Sequence, residues 1–391
     1  MSAFEKGRFT LLKRQLAYAR ANSPYYRRTL RDTDIDSIHD RRGLAALPLT
    51  PSDALRKDPR AFLSVGESAA ARIATLNTSG TTGDTKRIWF SEADLQRTVD
   101  FFILGLSHMV KPGGRAAVFM SGPAPGGLGG LLHKAFAAMG VFPIIHGPVT
   151  DIASAVHAAD GADLVVGLPA QLNRLCLTAP GLRPGAALLT GDYIPRGIID
   201  NVKSSWGSSV YTHYGLTESG YGLAYQCMAA EAHHLRDGEF IAEIVDPSGG
   251  RPLEDGSWGE LVITSLMNEA MPLIRYRTGD ITRLITAPCA CGHARPRLDR
   301  IMGRAANIGR KYSIHKLDEA MFRLPGLLDY SASVQEDRLD MIIDSLIKYD
   351  DKAVRASLEA EGVHMAALRL EYRGLPVYSG PQKKSVCVHK K

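Results

Sequence analysis

The nine residues TSGTTGDTK, 78–86, gather two glycines, five hydroxyl side chains and a lysine. Glycine admits backbone conformations closed to other residues. Successive N–H groups of such a loop can turn inward and form a nest for phosphate oxygens, and Lys86 adds a point charge able to reach a triphosphate. The spacing differs from that of the P-loop, which opens a helix; the alternative is an ordinary polar hairpin. A second set of chemically capable residues lies further on. Cys289 and Cys291 form a C-x-C pair in PCACGH, and Cys227 precedes the histidine pair 233–234 in CMAAEAHH. Thiolates and imidazoles are zinc's preferred ligands, and four of them close a structural site. His293 competes for the fourth place, and unrelated free thiols are the alternative. Cys176 lies on an apolar helix and reads as core; Cys387 lies in a basic tail.

The flanking segments say what must position these groups. ARIATL (71–76) and RIWF (87–90) read as strands on either side of the loop. An N-terminal basic amphipathic helix should end near Asn22-Ser23-Pro24, because proline disfavours helix in the residue before it. From 66 to about 210 the chain alternates, strands such as AAVFM, DLVVGL, AALLTG and VYTHYG taking turns with helices such as PAQLNRLCL and RGIIDNVKSSWG. That alternation predicts a parallel sheet covered by helices. After 235 the pattern becomes antiparallel strands with turns at PSGG and EDGSWG. From about 305 the order is helix, two strands, helix, strand. The expected fold class is α/β: a large N-terminal domain of stacked, mostly parallel sheets with helices, an antiparallel subdomain over about 225–304, and a small α+β C-terminal domain over 305–391.

The chain has 391 residues, long enough for two domains or more. With 45% apolar and 23% charged residues it has the composition of a globular protein. A net charge of +6 suits anionic substrates and is too modest and dispersed to argue for nucleic acid. No run of 18 apolar residues occurs, so no membrane span is expected. MSAFEKGRFT lacks the apolar centre of a signal peptide, and five cysteines make no disulfide framework. Cytoplasmic residence is the corresponding expectation.

YGLTE (214–218), GELVITSL (259–266), MPLIRYRTGD (271–280) and DRIMGR (299–304) follow TSGTTGDTK in order. Together these resemble the adenylate-forming enzymes, and within them the phenylacetate–CoA ligase-like branch. The resemblance covers residues 10 to about 304 well and the last domain loosely. It implies a Mg-ATP-dependent enzyme that activates a small organic carboxylic acid, aromatic or otherwise, as acyl-adenylate and passes it to coenzyme A with release of AMP. On that pattern Thr78, Ser79, Gly80, Thr81, Thr82, Gly83 and Lys86 cradle the leaving phosphates. Tyr214 stacks on adenine, Thr217 bonds the α-phosphate and Glu218 holds Mg2+. Gly191, Asp192 and Tyr193 contact the adenine edge, Asp280 takes the ribose hydroxyls and Arg304 lies near the ribose and phosphate. The branch often carries zinc at Cys227, His234, Cys289 and Cys291, and the following LRDGEF favours His234 over His233. The C-terminal adenylation lysine corresponds to Lys383, with Lys384 as the alternative. A homodimer follows by analogy.

Two segments depart from the family pattern. Thr85 stands where proline is usual, and Ala305, Ala306 and Asn307 replace an expected acidic hinge before a shortened loop, IGRKYSIH. An adenylating enzyme with a non-CoA acceptor, such as an amine or a carrier-protein thiol, is therefore a second reading. A non-catalytic nucleotide-binding accessory protein is a third.

Overall fold

The structure is a computed structural model that describes residues 2–77, 85–121, 126–373 and 386–389, the last four and residues 76, 77 and 85 by their backbone alone. Residues 78–83 of the glycine loop and Lys383 lie outside the described residues. The fold is α/β, as the strand and helix patterning predicts. The chain divides into two compact units, each built from two separate stretches: Met1–Leu104 with Tyr214–Ala306, and Gly105–His213 with Asn307–Lys391.

The first unit begins with the helix Ala3–Asn22, which closes where the sequence predicts. Ser23 ends it by giving its N–H to Ala19 O (2.9 Å). The same residue opens a second short helix, Pro24–Thr29, with proline at its first turn. The strands Arg72–Asn77 and Thr85–Phe90 pair antiparallel, with Asn77 opposite Thr85 and Leu76 opposite Lys86. The glycine loop therefore joins two strands of a hairpin. A four-stranded antiparallel sheet follows, in the order Phe240–Val245, Gly259–Ser265, Tyr276–Thr282, Gly303–Arg304. Along Tyr276–Thr282 every second residue is buried, so Tyr276, Thr278, Asp280 and Thr282 share one side. Four shorter strands also pair antiparallel: Ala224–Gln226 with His233–Leu235, His233–Leu235 with Arg297–Leu298, and Arg297–Leu298 with Leu284–Ile285.

In the second unit five parallel strands lie in the order Ser209–Tyr214, Ala186–Leu189, Leu164–Gly167, Arg115–Phe119, Phe142–Ile145; Tyr214, the last residue of its strand, belongs to the first unit. Three of them are buried over their whole length or nearly so, as parallel strands covered on both faces must be. Residues 307–391 add the helices Ile314–Met321 and Asp351–Ala360 and a sheet in the order Ala367–Tyr372, Arg338–Ser345, Leu327–Gln335, Val386–His389. The last of these strands was not foreseen from sequence. Asn173 donates from Nδ2 to Leu327 O (2.8 Å), and the nearly buried side chains of Arg174 and Asp344 form an ion pair. One apolar cluster runs from Phe119 and Leu172 to Phe322 and Met341. At Gly197 a Cβ would stand 2.1 Å from Phe322 O, so only glycine permits this approach of the helix Arg196–Trp206 to the end of Ile314–Met321.

Candidate active site and metal centre

Lys86 enters from the second residue of its hairpin strand and Glu218 from the single 3-10 turn Thr217–Ser219. The turn is fixed locally. Gly220 ends it in the left-handed region (φ 71°) and returns its N–H to Thr217 O (3.0 Å). Thr98 Oγ1 donates to Gly220 O (3.0 Å), and a Cβ on Gly220 would come within 2.5 Å of that hydroxyl. Ser219 Oγ accepts from Leu216 N (3.3 Å) and donates to Leu216 O (3.0 Å). Glu218 is thereby held where the Lys86 ammonium donates to its Oε1. Tyr276 completes the cluster: its hydroxyl donates to the same Oε1 (2.8 Å) and accepts from Lys86 Nζ (2.5 Å). Burial pushes the Glu218 carboxyl up, but Lys86 and the Tyr276 hydroxyl outweigh it and hold the group below the usual glutamate range. Glu218 is therefore an ionised carboxylate, the hard oxygen ligand that Mg2+ prefers.

Asp280 is gripped from both sides. Tyr214 donates from its hydroxyl to Oδ2 (2.7 Å), and Arg304 donates from Nη1 to Oδ1 (2.6 Å). Gly279 makes the second contact feasible: its φ is +77°, and a Cβ there would lie 3.1 Å from the Arg304 guanidinium. Burial raises the Asp280 carboxyl above its usual range despite the pull of Arg304 and Tyr214. Burial and the Asp280 charge also hold the Tyr214 phenol well above its ordinary range. The two clusters are close enough for their charges to act on one another, Glu218 on Asp280 and Arg304 on Tyr276. Tyr276 lies within the quoted MPLIRYRTGD yet was not singled out from sequence. The signal was its spacing: four residues before Asp280 on one strand places both on the same side.

Thr217 is half-buried in the same turn. Gly191, Asp192 and Tyr193 belong to the second unit. Gly191 turns with φ +85°, Asp192 Oδ1 accepts from Tyr193 N (2.8 Å), and the Tyr193 hydroxyl donates to Glu319 Oε1 (2.7 Å).

The four sulfur and imidazole residues converge. The short antiparallel strands bring the ends of the loops carrying them together, and one ligand atom from each of Cys227, His234, Cys289 and Cys291 lies within 4.8 Å of the others. Cys227 Sγ stands 3.6 Å from Cys289 Sγ, and Cys291 Sγ 3.5 Å from His234 Nε2. Sulfurs bound 2.3 Å from a tetrahedral zinc ion would be about 3.8 Å apart, whereas a disulfide closes to about 2 Å. His293 sets its ring edge against His234 (centroids 4.7 Å) and is outside the four. His233 is buried, and burial pushes its imidazole down to about 4. Cys176 is core, its thiol pushed up by burial to about 12.

No protein-family model matches the chain. A phenylacetate-coenzyme A ligase of Thermus thermophilus is 30% identical over 312 residues, covering 75% of this chain and 68% of that ligase. The Escherichia coli phenylacetate-coenzyme A ligase is 29% identical over 311 residues, covering 75% and 69%. Among solved structures, 2-hydroxyisobutyryl-CoA ligase in the postadenylation state in complex with R3-HIB-AMP superposes with a TM-score of 0.82 at 17% identity, covering all of this chain and 90% of that one. With its charged clusters drawn from the same ordered segments, the chain belongs to the phenylacetate–CoA ligase family.

Proposed function

We propose that the chain activates a small organic carboxylic acid with ATP as an acyl-adenylate and then transfers the acyl group to coenzyme A. The observation that carries this reading is the meeting of Lys86 and Glu218, 132 residues apart in sequence, in a cluster whose charges reach Asp280. In the first step a carboxylate oxygen attacks the α-phosphorus and pyrophosphate leaves; in the second a thiol displaces AMP. Two anions must approach, so alignment and charge neutralisation dominate the chemistry.

Lys86, with residues 78–83, takes the departing phosphates, and Thr217 donates its hydroxyl to the α-phosphate. Glu218 holds Mg2+, which when bound with the nucleotide offsets phosphate charge. Asp280 accepts the ribose hydroxyls. Each of its oxygens already has one donor, Tyr214 or Arg304, and retains a lone pair for the sugar. The assignments of Gly191, Asp192 and Tyr193 to the adenine edge, of the Tyr214 ring to adenine, and of Lys383 to the adenylation step rest on the family resemblance. So do the movement of a C-terminal module and a homodimer; the division at residue 304 rests on the change of sequence pattern there, and cytoplasmic residence on cysteine usage. Among the described residues no helix is long and apolar enough to cross a membrane. Cys227, His234, Cys289 and Cys291 hold a structural Zn2+ in this reading, supported by their mutual distances. A non-CoA acceptor is a second reading, favoured by Ala305, Ala306 and Asn307 in place of an acidic hinge.

The test is ATP–pyrophosphate exchange with phenylacetate, 2-hydroxyisobutyrate and a panel of further small acids. Exchange with at least one acid, followed by consumption of coenzyme A, is the expected outcome. Exchange without thiol consumption, but with turnover of an added amine, would favour the second reading. ATP binding with no exchange for any acid would reduce the chain to a nucleotide-binding accessory.

A further inference from the structure

We propose that Tyr276 is a positioning residue for the nucleotide step, acting through Glu218: its hydroxyl aims the carboxylate that receives the metal. The inference rests on the functional reading above. Three observations carry it. Tyr276 is 1% exposed, and its hydroxyl meets both charged side chains of the cluster, donating to Glu218 Oε1 (2.8 Å) and accepting from Lys86 Nζ (2.5 Å). The Lys86 ammonium also stands 5.2 Å from the centre of the Tyr276 ring, within the range of a cation–π contact. Finally, Tyr276 is the rigid member of the three. Its strand pairs with Gly259–Ser265 on one side, Ile263 lying opposite Tyr276. Thr50 clamps the backbone around it, giving its N–H to Arg275 O (2.8 Å) and accepting from Arg277 N (3.0 Å).

Lysine and glutamate side chains lose much rotamer freedom when ordered, whereas a tyrosine ring in a packed strand has little left to lose. A hydroxyl on a fixed ring therefore selects one orientation of the Glu218 carboxylate. The opposing view is that the hydroxyl only satisfies buried polar atoms and contributes to stability.

A double-mutant cycle read by ATP titration calorimetry separates the two. In MgCl2, Tyr276→Phe should weaken ATP binding by about 10- to 100-fold, the range for one hydrogen bond to a charged group. In the Glu218→Gln background the same change should add no more than about twofold, because the group it acts through is gone. In EDTA the loss from Tyr276→Phe should be much smaller than in MgCl2. A loss of equal size in both backgrounds, or no loss in MgCl2, would overturn the proposal. A Tyr276→Phe protein that fails to fold, judged by its melting curve, would assign the hydroxyl to stability and overturn it as well. The titration uses neither acid nor thiol. Failure of the exchange panel would refute the proposed reaction, and the Tyr276 assignment would still be decided by ATP and MgCl2 alone.

Discussion

Replacing Lys86 by methionine keeps the apolar stem and removes the charge that faces Glu218. The Lys86 and Glu218 side chains are 14% and 9% exposed, so little solvent screens the pair. Two unit charges about 4 Å apart attract by about 4 kcal/mol at the effective dielectric constant of partly buried sites. Breaking a buried pair from one side costs about 3 to 5 kcal/mol, because the remaining charge is left desolvated. Tyr276 still donates to Glu218, which favours the lower figure. At about 2 to 4 °C per kcal/mol for a unit of this size, Lys86→Met should lower the melting temperature by roughly 6 to 12 °C. The informative variant is the double one. Lys86→Met with Glu218→Gln leaves no uncompensated charge and should recover at least half of the loss, although neither variant should support pyrophosphate exchange. Calorimetric melts of the wild type, both single variants and the double variant make the comparison. A double variant as unstable as the sum of the singles would mean that the two charges are not energetically linked, and the charge argument for the site would fall with it.

The turn that carries Glu218 gives a second test. Gly220→Ala combines a φ of 71° with a contact of 2.5 Å to Thr98 Oγ1, and a non-glycine residue held there costs about 1 to 3 kcal/mol; a drop in melting temperature and weaker Mg-ATP binding in calorimetry are expected. Purified protein should contain about one zinc ion per chain by elemental analysis, and Cys289→Ser should lose most of it, since a closed structural site needs all four ligands. Arg174→Ala, which leaves the Asp344 carboxylate nearly buried without its partner, should destabilise the protein by about 3 kcal/mol, with Asp344→Asn restoring part of that in a denaturant titration.

Local order was readable because it rests on local physics. Ser23-Pro24 ended the first helix where it should, and the strands around residues 78–84 paired as a hairpin. Alternation of strand and helix predicted the parallel sheet. Residue chemistry alone flagged the cysteines, and the LRDGEF resemblance favoured His234 over His233; setting His234 rather than His293 among the four took the paired short strands, because that geometry depends on cross-strand register. Tyr276 escaped notice because nothing in a tyrosine's type distinguishes a core ring from one whose hydroxyl bridges two charges. The grouping of residues 307–391 with 105–213 was equally hidden. It depends on contacts such as Asn173 to Leu327 and Gly197 against Phe322, which have no local signature.

Both units are assembled from two visits of the chain. Lys86 is synthesised on the first visit to its unit, while Glu218, Tyr276, Asp280 and Arg304 arrive only on the second. A ribosome would therefore release the hairpin long before its counter-charges exist, and the second unit waits still longer for its closing sheet. Cutting the gene at residue 104 or 213 would yield halves with open apolar faces instead of working modules, prone to association during translation. Circular permutants that begin at residue 214 would run the first unit's later stretch ahead of its earlier one, and so offer a way to ask whether order of emergence governs yield.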